Sequence, residues 1–228
     1  MTMHTNYVER ESITGRQVAF EIAAQITAGV GIMINIVRQL YVATLFTLVT
    51  TVVFGLAYPM LVTGAAQLLF PRQANGSLVE RNGETVGSSL VAQPFSTAEY
   101  FWSRPSAAGK GYDATASSGS NLGPTSAALI ARVAADRERI ALTNPTVAVP
   151  IELVTTSASG LDPHLSPAAA DFQVSRVARE RGVSEAVVRQ LVADMTEPRQ
   201  FGTLGEPRVN VLLLNLALDE RYPRSANR

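Results

Sequence analysis

Residues 40–70 read LYVATLFTLVTTVVFGLAYPMLVTGAAQLLF, and this stretch decides the fold. It lies between Arg38 and Arg72, in a segment that carries no charged side chain. About 20 helical residues cross a hydrocarbon core of about 30 Å, so the stretch is long enough to span a membrane. We expect the span at about Leu40–Leu61, with Val62–Phe70 at the far interface.

Two other interpretations of this stretch are less favourable. A cleavable signal peptide would use Gly64 and Ala66 as small cleavage-site residues, but the apolar core of such a peptide is only about 7–15 residues long. A membrane hairpin would use Gln17–Val37 as a second span, which is costly because that segment carries Glu21 and several amides. We therefore predict one span, preceded by an amphipathic or disordered leader.

One face of the predicted span carries small or hydroxyl side chains. Thr47, Thr51, Gly55 and Pro59 recur at every fourth residue, a spacing that lets another helix approach closely. Threonines in membrane helices also bond to their own preceding turn, which is the alternative role for this face. Pro59 disfavours helical geometry at Tyr58, so we expect the helix to kink or loosen there.

The rest of the chain reads as one soluble domain. We divide the sequence into a leader (1–36), a transmembrane helix (37–62), a soluble domain (63–223) and a tail (224–228). The 19 basic and 19 acidic residues balance, so no basic field indicates nucleic-acid binding. The chain has no cysteine, which excludes disulfides and thiolate metal sites. The charges that flank the span do not reveal its orientation.

Turn residues and apolar spacing predict a mixed α/β domain. Asn82-Gly83 predicts a hairpin between two strands, at 77–81 and 84–91. A loop rich in glycine, serine and proline follows at 103–125. Val147–Thr155 is a strand candidate interrupted by a proline. Helices are predicted from Thr125 to Asn144, from Ser166 to Gly182, from Ser184 to Pro198 and, with Asn210 as cap, over the otherwise ambiguous run Val209–Leu218.

The sequence carries no recognisable catalytic or metal-binding pattern. Residues 109–111 (Gly-Lys-Gly) lack the upstream glycine and the hydroxyl residue of a phosphate-binding P-loop. The two histidines are His4 and His164, so a Ser-His-Asp triad would rest on His164 alone. Asp162 and His164 would point to opposite faces of an extended segment, which argues against a metal site. We predict neither catalytic nor metal-binding residues.

Two loops and one aromatic cluster are the remaining candidates. Residues 117–121 (Ser-Ser-Gly-Ser-Asn) are similar to nests that bind phosphate through backbone N–H groups. Residues 157–162 form a turn after the strand candidate, where α/β folds often hold ligands. For both we favour an ordinary loop. Tyr100, Phe101 and Trp102 either fill the core or anchor a partner, and we favour the core.

Several strings occur in order along the domain. They are QANGSL (73–78), YFWSRPSA (100–107), GSNL (119–122), VPIELVTTSASGLDPHLSP (149–167), Gln173, RVA (176–178) and VNVLLLNLALD (209–219). Together they resemble the C subunit of the bacterial Kdp potassium-transporting P-type ATPase. The resemblance covers about Val37–Tyr222 and includes the Tyr58-Pro59 pair. Its motif residues here are Gln73, Asn75, Gly76, Arg104, Pro105, Ser157, Ser159, Gly160, Asp162, Asn210 and Asn215.

This resemblance implies a fold class, a location and a role. The fold is α+β, with one N-terminal transmembrane helix followed by a single mixed α/β extracytoplasmic domain. The location is the bacterial inner membrane, with a single pass and a cytoplasmic N-terminus. The role is that of an accessory, non-catalytic subunit of an ATP-driven high-affinity potassium uptake pump. Its implied partners are an ATP-hydrolysing subunit, a channel-like K⁺ subunit and membrane lipid, with no nucleic acid and no tightly bound cofactor.

In that family the C subunit is described as a catalytic chaperone that raises the ATP affinity of the hydrolysing subunit. A Ser-Gly-Ser-Asn segment of the family has been likened to a nucleotide-binding signature, and here it comprises Ser118, Gly119, Ser120 and Asn121. ATP is cytoplasmic, whereas this segment is expected outside. We therefore expect ATP to act through the partner subunit, with coupling through the membrane helix.

Three points stay open at the level of sequence. The first 32 residues match nothing in that family, so we expect Met33 to be the true start. The runner-up function is a membrane-anchored extracytoplasmic module that binds a small ligand in the turn Ser157–Asp162. An anchored hydrolase would require His164.

Overall fold

A computed structural model describes residues 3–223 of the chain, with side chains from residue 15 onward. The chain divides into two compact units, and the division falls between Phe70 and Pro71. The first unit contains the apolar stretch, and the second contains the mixed α/β domain.

The first unit is one long helical run. Helix α1 (Met3–Thr50) continues into a π-helical segment (Thr51–Ala57) and then into helix α2 (Tyr58–Leu69). Gly15–Leu69 is long and apolar enough to cross a membrane, because its most apolar 18-residue window has a mean hydropathy of 2.0 and none of that window is buried. The helix that contains the predicted span is therefore present, and it runs to Leu69.

The π-helical segment lies directly before the proline. The N–H of Tyr58 donates to the carbonyl of Val53, five residues earlier, instead of to the residue four earlier as in an α-helix. Pro59 has no N–H, so it cannot satisfy the carbonyl of Gly55 as an α-helix would require. The helix is thus widened in the turns that precede Tyr58 and Pro59.

The second unit opens with the predicted hairpin. After the short helix α3 (Pro71–Ala74), strands β1 (Leu78–Arg81) and β2 (Glu84–Ser88) pair antiparallel. Asn82 and Gly83 join them with φ values of 54° and 82°, the left-handed conformation that a two-residue type I′ turn requires. The hairpin prediction is confirmed.

Four helices follow, and their starts are where side-chain caps were predicted. They are α4 (Ala127–Ala141), α5 (Pro167–Arg181), α6 (Glu185–Asp194) and α7 (Val211–Arg221). Ser126, Ser166 and Asn210 each accept a hydrogen bond from the third backbone N–H of the helix that they cap. Ser184 occupies the cap position of α6 without such a bond. Gly182 ends α5 with a φ of 68°, as a left-handed C-cap.

The strand predicted over Val147–Thr155 is wrong. Pro150 is followed by a single 3₁₀ turn, Ile151–Leu153, in which Leu153 N–H donates to the Pro150 carbonyl at 3.1 Å. Pro150 removes a backbone donor from the middle of this short segment, so it cannot pair regularly with a neighbouring strand.

A second, three-stranded antiparallel sheet was not predicted. Its strands are β3 (His164–Leu165), β4 (Thr196–Glu197) and β5 (Arg208–Asn210), in the order β3-β5-β4. Strands of two or three residues are too short to show the alternation that identifies a strand in a sequence. The last apolar run, predicted as a helix, begins with β5 and becomes α7 at Val211.

The core of the domain surrounds α5. This helix is flanked by α6 and by the small sheet, and α7 packs against α6 and β5. Phe101, Val174 and Val177 are completely buried there, and so are Val188, Val209, Leu214 and Leu218. The α+β prediction, with a single helix long enough to cross the membrane, is therefore confirmed within the described residues.

Candidate functional site

The membrane helix presents the predicted face across its π-helical segment. Four residues of an α-helix turn through about 400°, which is about 40° more than one full turn. Side chains that recur at every fourth residue therefore shift gradually around a regular helix. A π-helix needs more than four residues per turn, because its hydrogen bonds reach five residues back. Thr51 and Gly55 lie in that segment, between Thr47 in α1 and Pro59 in α2. The π segment therefore counteracts the drift and keeps the four positions closer to one line.

In the domain, two amide side chains hold the aromatic strap, residues 100–102, as a strand neighbour would. Asn215 accepts from the Phe101 N–H at 2.8 Å and donates to the Phe101 carbonyl at 2.9 Å. Gln173 accepts from the Trp102 N–H at 2.9 Å and donates to the Trp102 carbonyl at 3.2 Å. Both amides are 1% exposed. These contacts satisfy buried backbone groups that would otherwise be costly.

Two buried arginines complete the support of the strap. The Arg176 guanidinium lies 3.7 Å from the centroid of the Trp102 ring and donates to the Tyr100 carbonyl at 2.9 Å. Burial lowers the pKa of Arg176 to about 10, which leaves it charged at neutral pH. Arg181 lies 4.8 Å from the Tyr100 ring centroid. The prediction that the aromatic cluster belongs to the core is correct for Phe101, while Tyr100 and Trp102 are half-buried beneath these cations.

Asp219 joins three separate elements. Its carboxylate accepts from Arg181 at 2.8 Å, from the Tyr100 hydroxyl at 2.8 Å and from Arg81 of the hairpin at 3.0 Å. Burial by itself raises the pKa of Asp219, but the hydrogen bonds from these donors prevail and hold it below its ordinary value.

The two candidate loops, 118–121 and 157–162, are in contact. The Ser118 N–H donates to the Ser159 carbonyl at 3.0 Å. A Cβ atom on Gly119 would lie 2.9 Å from the Ala158 carbonyl oxygen, and one on Gly160 would lie 2.5 Å from the Ser118 carbonyl oxygen. Only glycine fits this close approach, and Gly160 also has a φ of 67°. The two loops are far apart in the sequence, and the fold brings them into contact.

Ser106 fastens the loop 103–125 to the same junction. Its hydroxyl donates to the Gly160 carbonyl at 2.6 Å and accepts from the N–H groups of Ala108 and Tyr112. Tyr112 in turn donates its hydroxyl to the Arg104 carbonyl at 2.8 Å. Burial raises the pKa of the Tyr112 phenol. The loop contains neither helix nor strand, and these bonds order it.

Arg104 and Asp162 form the charged edge of the junction. Arg104 lies 3.4 Å from the Asp162 carboxylate and also donates to the Thr156 carbonyl at 3.4 Å, while Pro105 follows it in the loop. Asp162 accepts from the backbone N–H of His164 at 3.0 Å, and its Oδ1 lies 3.3 Å from His164 Nδ1. The hydrogen bond from the His164 side chain holds the pKa of Asp162 below its ordinary value. The expectation that these two side chains point apart is wrong, because residues two positions apart in an extended segment lie on the same face.

The remaining motif residues shape the start of the domain. Asn75 donates its amide to the Pro71 carbonyl at 2.7 Å, and the Gln73 carbonyl accepts from the Gly76 N–H at 3.0 Å. Gly76 has a φ of 84°, and its carbonyl accepts from the Ser88 hydroxyl at 2.7 Å. Asn210, late in the sequence, returns to this region, where its amide donates to the Ser89 carbonyl at 2.7 Å.

The hydrogen bonds and ion pairs of these residues support the structure of the domain. Within residues 15–223, His, Asp and Glu form no group of three that could hold a metal ion. A cleft beside Trp102, lined also by Tyr112, Asp136 and Arg139, has a volume of about 240 Å³. Small-molecule sites usually measure about 300–1,000 Å³, so this cleft is small for one.

The sequence patterns predicted no role for Arg176, Arg181 and Asp219. A signal was available, because Gln173, Arg176 and Arg181 are polar residues on the side of α5 that is otherwise apolar. A buried polar group needs a partner, and the nearby aromatic strap offers backbone carbonyls and ring faces.

The fold and the site define a protein with one helix that can span a membrane and an α+β domain that is braced by buried polar side chains. The family described as "KdpC: K+-transporting ATPase, c chain" matches residues 40–220. A Koribacter versatilis protein named potassium-transporting ATPase KdpC subunit is 55% identical over 186 residues, which are 82% of this chain and 96% of that protein. A protein of the same name from Myxococcus xanthus is 62% identical over 177 residues, 76% of this chain and 84% of that protein. The chain therefore belongs to the KdpC family of potassium-transporting ATPase subunits, as the resemblance indicated.

Proposed function

We propose that this chain is the accessory subunit of an ATP-driven potassium uptake pump and raises the ATP affinity of the hydrolysing subunit without hydrolysing ATP itself. The observation that carries the proposal is the family match over residues 40–220, which includes both the apolar helix and nearly all of the described domain. An Acidobacterium capsulatum relative, named potassium-transporting ATPase KdpC subunit, is covered over 100% of its length at 54% identity.

The proposed arrangement is a single pass through the bacterial inner membrane. The N-terminus lies in the cytoplasm and the domain that begins at Pro71 lies outside. The partners are the ATP-hydrolysing subunit, the channel-like K⁺ subunit and membrane lipid. The face formed by Thr47, Thr51, Gly55 and Pro59 packs against a transport subunit, because its small side chains permit close helix contact.

In this proposal, the membrane helix couples this chain to the ATP-hydrolysing subunit. Direct contact between ATP and this chain contributes little. ATP is cytoplasmic, whereas Ser118, Gly119, Ser120 and Asn121 are in the outer domain. The Ser118 N–H is already hydrogen-bonded to the Ser159 carbonyl, and Gly119 packs on the Ala158 carbonyl. These contacts support a bracing role for the first half of the segment, since a phosphate nest needs free backbone donors.

Purification from native membranes tests the assembly. A tag on this chain should recover a stable complex with the other subunits and with K⁺-stimulated ATPase activity. Recovery of the chain alone, in a form that binds a small ligand, would instead support the runner-up, an anchored binding module with its ligand at Ser157–Asp162. Mutation of the residues that would hold the ligand, beginning with Ser157→Ala, would then abolish that binding.

A further inference from the structure

The connection between β4 and β5 forms an exposed arm, residues 198–207. Gln200 and Leu204 face each other as an antiparallel pair and exchange two backbone hydrogen bonds of 2.9 Å. Residues 197–206 are all exposed. The arm is therefore an ordered hairpin that stands away from the domain core.

The tip of the arm carries an aromatic ring that the fold does not use. Phe201 is 93% exposed and has a φ of 52°. A bulky residue adopts this left-handed region only at a cost, whereas glycine or asparagine would make the same turn easily. Leu204, also in the arm, is 58% exposed. The ring thus adds strain and exposed apolar surface to the free domain, which points to a use outside it.

The charges of the arm indicate what kind of partner it fits. Arg199 and Glu206 pair at 2.5 Å near the tip, and Arg208 and Glu197 pair at 2.9 Å at the base. Each arginine is neutralised by a glutamate, so the arm offers no basic patch for anionic lipid headgroups. Protein interfaces commonly have a buried aromatic side chain at the centre and polar residues around it. Phe201 and the neutral, polar residues beside it have this arrangement. Because the arm is already ordered, docking it loses little conformational entropy.

We infer that the arm inserts Phe201 into an apolar pocket on a partner subunit of the pump. The inference rests on the proposed function as a pump subunit, and it adds a second contact to the one made by the membrane helix. A bilayer surface or a second copy of this chain would be a different occupant.

Replacement of the ring tests the inference in the assembled pump. Full-length chain carrying Phe201→Gly is co-expressed with the other pump subunits, and its retention on the detergent-solubilised pump is measured as a function of dilution. We expect about 10- to 100-fold weaker retention, as for a buried aromatic anchor. Thermal unfolding of the isolated variant should be unchanged or shifted upward, because glycine relieves the left-handed φ. Leu142→Ser is the matched control, since Leu142 is 80% exposed at the end of α4 and should not affect retention.

Cross-linking identifies the occupant. p-Benzoylphenylalanine introduced at position 201, in intact membranes that contain the whole pump, should form an adduct with another pump subunit. An adduct with lipid or with a second copy of this chain would overturn the inference, as would lower thermal stability of Phe201→Gly. Unchanged retention of that variant would overturn the inference and leave the proposed function standing. Failure of the unmodified chain to co-purify would remove both.

Discussion

Asn215 on α7 satisfies both backbone polar groups of Phe101, with hydrogen bonds of 2.8 and 2.9 Å. The two residues are 114 positions apart in the sequence, and both are almost completely inaccessible to solvent. A single side chain thus fastens the aromatic strap to the last helix of the domain. Gln173 on α5 does the same for Trp102, so the strap is held from two helices.

Asn215→Ala should destabilise the domain strongly. The Phe101 N–H and carbonyl would both be left buried without a partner, and each such group costs about 1–3 kcal/mol. We expect the free energy of unfolding to fall by about 2–5 kcal/mol. Urea unfolding can be followed by the fluorescence of Trp102, the single tryptophan of the chain. Gln190→Ala removes an exposed amide from α6 and should change the stability by less than about 0.5 kcal/mol; equal losses for the two variants would contradict this role of Asn215.

Gly160→Ala should separate the two loops that meet beside Ser118. Gly182 offers a matched control, because its φ of 68° equals that of Gly160 within one degree, while no atom lies within 4 Å of the position of its absent Cβ. Gly182→Ala should cost about 1–2 kcal/mol, the price of a left-handed alanine. Gly160→Ala should cost about 1–3 kcal/mol more, because of the overlap with the Ser118 carbonyl. If thermal unfolding shows equal losses, the loops are not in close contact.

Acid should weaken the contribution of Asp219 to stability. Its pKa is lowered in the folded protein, so its contribution is complete above the ordinary aspartate pKa of about 3.9 and is lost as the pH falls through the lower, folded value. The difference in unfolding free energy between the wild type and Asp219→Asn should therefore be largest near neutral pH and shrink below about pH 4. The matched control is Asp194→Asn, which breaks an exposed pair with Arg221 and should show a much smaller difference throughout. A difference for Asp219→Asn that does not change with pH would contradict the ionic role.

The proposed helix face should be sensitive to side-chain size. Thr51→Leu combined with Gly55→Leu would push a partner helix away, and we expect retention of the transport subunits to weaken by about 5- to 30-fold, which corresponds to about 1–2 kcal/mol of lost packing. Val53→Leu, on the other side of the same segment, should leave retention unchanged. Quantitative mass spectrometry of the purified complex measures the ratio. Unchanged ratios for the double variant would count against this face.

Local signals made most of the helices and the first hairpin predictable. Ser126, Ser166 and Asn210 cap their helices through atoms only three residues away, and Asn82-Gly83 makes its turn without help from the rest of the chain. The strand predicted around Pro150 was wrong because its β-branched residues are typical of strands, whereas the proline within it interrupts pairing. The contact between Ser118 and Ser159 could not be predicted, since it depends on how distant loops pack and neither loop has a pattern that names the other.

The ATP dependence of the pump tests the central claim most directly. The pump is purified without this chain, and its K⁺-stimulated hydrolysis is measured at increasing ATP before and after stoichiometric addition of the full-length chain. We predict that addition lowers the KM for ATP by about 5- to 150-fold, the usual range of coupling between two sites. An unchanged KM, with the chain shown to be bound to the pump, would contradict the account.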